Sequence, residues 1–179
     1  MAELMVRRPW PGRIAWIALF LVLTMIALLP LGATPPVWAG PDLLLVITLL
    51  WVMRRPELVP MPVIAISWFL TDLLLQRPPG LMTALVLLVT ESLRRRNAAL
   101  RGLPPVLEWI AASAAIIAVT LAYRIVLALL LTSQAPLGLS LMQMAMTMLA
   151  WPVAAVIAHF VFGIARPAPG EMDALGKPI

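Results

Sequence analysis

Between Ile14 and Ala165 the chain is a succession of apolar runs, and its basic residues are concentrated in every second gap between them. Arg7, Arg8 and Arg13 precede the first run. Arg54 and Arg55 follow the second, Arg94, Arg95, Arg96 and Arg101 the fourth, and Arg166 and Lys177 the last. These are eleven of the thirteen basic residues; Arg77 falls in an alternate gap and Arg124 inside a run. Basic loops are retained on the cytoplasmic side during membrane insertion. The pattern therefore predicts an all-α, polytopic helical bundle with six transmembrane spans and both termini in the cytoplasm. Hydrophobic residues make up 63% of the 179 positions and charged residues 12%, with a mean hydropathy of +1.01. Soluble domains average about 45–50% apolar and about 25% charged. A chain this small and this apolar needs lipid as part of its solvent.

The expected spans cover residues 14–31, 42–53, 58–75, 80–93, 106–132 and 139–165, in a single bundle of residues 1–165 followed by a flexible cytoplasmic tail, 166–179. The first run has 18 residues, longer than the apolar core of most signal peptides, and is read as a retained span. Trp10 and Trp16 fall near its cytoplasmic end, where indoles favour the membrane interface. Span 2 has only twelve residues, about 18 Å of helix. It has to be surrounded by other helices or lie where the protein is thin. Asp42 is placed to cap it. Pro60 and Pro62 fit the first turn of span 3, and Pro152 is expected to kink span 6. The net charge of +5 follows from topology and requires no nucleic acid. With no cysteine and one histidine, no metal or other cofactor is expected.

Ionisable groups within spans cost about 2.5–3.5 kcal/mol each on insertion scales, so each needs a partner or a reason. Asp42, Asp72 and Arg124 fall at one depth, toward the external ends of three spans. Arg124 is expected to pair with Asp72 or with Asp42. Glu91 lies one turn before Arg94 and Arg95, a spacing that allows local neutralisation. His159 reads as a hydrogen-bonded packing residue. Span 5 carries Glu108, Ala112, Thr120, Arg124, Ala128 and Thr132 on one row. Span 6 carries Gln143, Thr147, Trp151, Ala155 and His159 on another, flanked by Ala150, Ala154 and Ala158. Small residues at every fourth position let helix backbones approach closely. Such faces serve contacts within the bundle or contacts with a partner's transmembrane helix. Phosphate-binding loops, nucleophile elbows and paired zinc histidines are absent.

A further set of residues is more specific. Gly40-Pro41-Asp42-Leu43-Leu44-Leu45, then Trp51 and Arg54-Arg55-Pro56-Glu57, then Leu70-Thr71-Asp72-Leu73-Leu74 and Pro79-Gly80-Leu81, ending in Arg94-Arg95-Arg96, resembles the rod shape-determining protein MreD family. The match covers residues 41–96, and Gln76-Arg77-Pro78 departs from the small-residue turn usual there. The resemblance implies a non-enzymatic inner-membrane subunit of the bacterial cell-elongation machinery. Its implied partners are membrane lipid, the single-span protein MreC, the actin-like MreB, and RodA with its transpeptidase. The implied fold is that of the substrate-binding subunits of energy-coupling-factor vitamin transporters. The alternative function is therefore a transporter subunit with an external pocket, for which Asp42, Asp72, Arg124 and Trp38 are the candidate polar and aromatic groups.

Overall fold

The computed structural model describes residues 10–29, 38–96 and 104–162. Among these it is all-helical: α1 (Trp10–Leu28), α2 (Leu43–Arg54), a 3-10 turn (Pro56–Leu58), α3 (Met61–Leu74), α4 (Leu81–Arg95), α5 (Pro105–Leu129) and α6 (Leu137–Phe162). The expected tail at 166–179, the connection after the first helix, and Arg7, Arg8 and Arg101 lie outside the described residues. Two helices are long and apolar enough to cross a membrane, over Pro105–Leu129 and Leu137–Val161. Those over Gly12–Leu28, Leu43–Arg54 and Met61–Leu74 are apolar but shorter.

Helix α2 forms the centre. Every residue from Leu44 to Arg54 is buried. It touches α1, α4, α5, α6 and the 3-10 turn. Its limits are local in origin. Asp42 Oδ1 accepts from the Leu45 N–H at 3.0 Å, satisfying one of the free donors of a helix start. Pro56 disfavours helical geometry at Arg55 and ends the helix. The chain then makes the 3-10 turn before α3, so the helix expected over 58–75 starts three residues later, at Met61. Pro60 is the cap residue of α3, and Pro62 lies in its first turn, where a missing N–H costs nothing.

Around α2 the layers are helical pairs: α3 with α4, and α5 with α6. Helix α6 continues through Pro152. Proline cannot donate to the carbonyl four residues earlier, which leaves the Met148 carbonyl to find another donor. Trp109 of α5 supplies it, Nε1 to O at 2.9 Å. The proline thus creates an acceptor that fastens α6 to α5.

The core is unusual in its polarity. Thr24, Thr48, Thr71, Thr83, Thr90, Thr147, Asp72, Arg54 and Glu108 are buried, whereas many leucines, isoleucines and valines of α1, α5 and α6 face outward. Most of the threonines return their hydroxyl to a carbonyl of the same helix, as Thr24 does to Phe20 at 2.8 Å and Thr48 to Leu44 at 2.7 Å. Such bonds satisfy the hydroxyl without water. Thr48 Oγ1 also accepts from Trp68 Nε1 at 3.1 Å.

The tryptophans correct one expectation. Trp16 is completely buried, not interfacial; only Trp10 of that pair is exposed. Trp16 packs against Phe20 with ring centroids 5.0 Å apart and planes tilted by 32°, and Phe20 meets Trp68 edge-on at 5.7 Å. Residues four apart share one helix face, and here that face turns inward.

Candidate functional site

The two ends of the bundle differ chemically. At one end, three arginines fasten the 3-10 turn and its neighbours. Arg13 Nη2 donates to the Glu57 carbonyl at 3.3 Å. Arg94 donates to the carbonyls of Pro56, at 3.0 Å, and Val59. Arg54 ends α2 and forms a buried two-point contact with Glu108 of α5: Nε to Oε1 at 2.7 Å and Nη2 to Oε2 at 3.3 Å. Its Nη1 donates to the Ala155 carbonyl of α6 at 3.1 Å. A residue expected in a cytoplasmic connection therefore ties three helices together. The planar guanidinium fork makes this possible, because it can hold a carboxylate and a carbonyl at once. Arg95 Nε meets Glu91 Oε1 at 3.0 Å, so Glu91 is neutralised on its own helix.

The other end contains a cavity of about 220 Å³. Its polar wall includes Asp42, Arg77, Tyr123, Arg124, Gln134 and Ser140; Met82, Ile116 and Leu127 supply apolar surface. Two helix ends build it. Helix α3 stops with Gln76 in the left-handed region, φ 52°; the Arg77 N–H bonds to the Asp72 carbonyl at 2.9 Å and the Gln76 N–H to the Leu73 carbonyl at 3.2 Å. Helix α5 stops in the same way at Leu131, φ 51°, with Thr132 and Leu131 donating to the Leu127 and Ala128 carbonyls. Both closures satisfy carbonyls that a helix end leaves free. Gly80 follows at φ 82° and caps α4; this left-handed position suits a residue without Cβ.

The expected Arg124–aspartate pair is not formed. Arg124 Nη1 donates instead to the Ala135 carbonyl, at 3.1 Å, and to Ser140 Oγ, while Gln134 Nε2 donates to the Arg124 carbonyl at 3.2 Å. These bonds close the α5–α6 connection. Both aspartates have backbone partners, which explains the difference. Asp72 is fully buried at the start of α4, where Oδ2 accepts from the Thr83 N–H at 3.1 Å and its hydroxyl at 2.8 Å. A helix N-terminus is electrostatically suited to a carboxylate. Asp42 caps α2, and its own N–H donates to Thr147 Oγ1 at 2.9 Å. The structure nevertheless brings Asp42 and Arg124 to one cavity, and adds Arg77.

The remaining candidates separate. Ala158 is in the core, with Ala150 and Ala154 half-buried against it. That alanine face packs within the bundle. His159 is exposed and meets Phe160 edge-on at 5.2 Å; among the described residues it makes no hydrogen bond, contrary to the packing role expected of it. Trp38 is exposed and is not part of the cavity wall. Among the described residues no group of three or more His, Cys, Asp or Glu side chains could hold a metal ion.

Sequence reasoning missed Arg77, Tyr123, Gln134 and Ser140 as neighbours of Arg124. Arg77 did carry a signal, as the one basic residue in an expected external connection. Gln134 and Ser140 carried none, because connections and helix starts have no periodicity to read. Compared with family models, with curated proteins and with solved structures, the chain matches none of them.

Proposed function

We propose that this chain is a non-enzymatic, six-span scaffold of the bacterial inner membrane that serves the cell-elongation complex by binding an MreC-like single-span protein. MreB, RodA and a transpeptidase are the further partners of that assembly. One observation carries the reading: the residues behind the family resemblance are engaged in holding the bundle together. Asp42 caps α2, Arg54 joins α2 to α5 and α6, Asp72 and Gly80 start α4, and Arg94 holds the 3-10 turn. A motif engaged in this way specifies a shape. Apolar side chains outside, with most of the buried threonines, Arg54 and Glu108 hydrogen-bonded inside, suit a bundle surrounded by lipid.

The topology is tested by reporter fusions. Those after residues 36, 78 and 136 are expected to read external, and those after 56, 101 and 170 cytoplasmic. Reversal at any two sites contradicts six spans with both ends inside. The function is tested by co-expressing the tagged chain with an MreC-like partner and purifying in mild detergent. Stoichiometric recovery of the partner is expected, and recovery no higher than with an unrelated single-span protein rejects the scaffold. The cavity favours a second reading, a substrate-binding subunit of a transporter, because it gathers polar groups at one end of the bundle. Tight, saturable binding of a vitamin-sized solute, with no partner recovered, supports that alternative.

A further inference from the structure

We propose that the cavity between α2, α5, α6 and the α3–α4 turn binds the phosphate group of an anionic ligand through Arg77 and Arg124. The proposal holds whether the chain is a scaffold or a transporter subunit, because it concerns the charge inside the cavity and not the partner.

Charge comes first. Two guanidiniums and one carboxylate line the cavity. The carboxylate, Asp42, already accepts a backbone N–H through Oδ1. Its negative charge opposes an anion, but the two arginines exceed it by one unit. Asp72, the other nearby acid, is absent from the wall and is held by Thr83. Free donors come next. Among the described residues the Arg77 side chain makes no hydrogen bond or ion pair, although the group carries five N–H donors. Arg124 engages only Nη1 there, which leaves the rest of its fork without a partner among these residues. Guanidinium forks match the paired oxygens of a phosphate, and charge-assisted bonds of this kind are the strong ones. A cation would be repelled, and a neutral solute would leave the net positive charge of the wall uncompensated.

Size and surroundings narrow the ligand further. Pockets for drug-sized molecules span about 300–1,000 Å³, and this one holds about 220 Å³. That is room inside the wall for a phosphate with a small polar substituent. Beside the wall residue Leu127, the end of α5 presents Leu129, Leu130 and Leu131, the last 93% exposed. An acyl chain lying over this edge would cover it while its headgroup occupied the cavity. The same phosphate chemistry also belongs to a soluble phosphate ester, so the source of the phosphate is decided by experiment.

The full chain is purified in a neutral detergent and titrated with phosphatidylglycerol, with diacylglycerol as the phosphate-free control, and with glycerol 3-phosphate. Retained lipid is read by native mass spectrometry, and solute binding by thermal shift. Arg77→Gln is the variant of choice, because its side chain supports no internal bond and the unliganded melting temperature should equal that of the wild type. Retention of phosphatidylglycerol over diacylglycerol, weakened about tenfold or more by Arg77→Gln, is the expected result for loss of charge-assisted bonds. Stabilisation by glycerol 3-phosphate that disappears in Arg77→Gln, with no lipid preference, supports the site and assigns it a soluble ester. Binding of neither probe, or equal binding by both proteins, overturns the proposal. None of these outcomes depends on recovery of an MreC-like partner, so failure of the scaffold and failure of the anion site are separately visible.

Discussion

Replacing Arg54 with methionine is expected to lower stability by about 3–5 kcal/mol, the usual cost of leaving a buried charge without its partner. The side chains of Arg54 and Glu108 are only 7% and 9% exposed. Once the guanidinium is removed, the Glu108 carboxylate has lost its two-point contact in a site with little water, and the Ala155 carbonyl has lost a donor. The single change Glu108→Leu should cost somewhat less, because Arg54 keeps its bond to Ala155. The informative variant is the double change Arg54→Met with Glu108→Leu. Buried ion pairs replaced by apolar residues of similar volume are often neutral or stabilising, because two desolvation penalties vanish together. The double variant should therefore be more stable than either single one. Melting of the detergent-solubilised protein, followed by tryptophan fluorescence, provides the measurement. Costs that simply add would show that the two groups do not interact.

That pair also shows where reading the sequence stops. The limits of α2 are local: a capping aspartate before it, and Arg-Arg-Pro at its end. Both could be read from neighbouring residues, as could the prolines that start α3. Contacts between helices depend on something else, namely which face of each helix turns inward. In a soluble protein the apolar stripe marks that face. Here α6 presents Leu141, Leu149, Val153, Val156 and Phe160 outward while burying Thr147, Trp151 and Ala158. Apolar residues thus occur all round the helix, and they do not orient it. The rows at fourfold spacing on α5 and α6 did indicate a direction. Glu108 and Ala112 lie inside at one end of the α5 row, but Ala128 and Thr132 lie outside at the other. Arg124 shared a depth with both aspartates, and depth alone could not reveal that a backbone N–H already served one oxygen of each carboxylate. The cavity depends on the α5–α6 connection, where Gln134, Ala135 and Ser140 meet Arg124 through geometry that has no sequence period.

The sharpest separation between what the sequence suggests and what the fold does lies in α1. Trp16→Ala is expected to cost about 2–3 kcal/mol, taking about 24 cal/mol per Å³ over a residual cavity of about 100 Å³. The estimate counts only the void. If lipid surrounds the bundle, a tryptophan leaves one apolar medium for another on unfolding, and the transfer contribution seen in water-soluble cores is largely absent. The indole N–H of Trp16 is buried without a hydrogen-bond partner among the described residues, so no polar bond is lost with it. Packing against Phe20 accounts for the effect, and Trp16→Phe, which keeps a ring in place, should recover most of it. Trp10→Ala is the control. Trp10 is 63% exposed, and substitution at such a surface position is expected to stay within about 0.5 kcal/mol. Two tryptophans of an interfacial belt would instead give small and similar effects, both sensitive to headgroup composition. Unequal effects that persist across detergents and lipid nanodiscs place Trp16 inside the bundle, where the aromatic stack fixes α1 against α3.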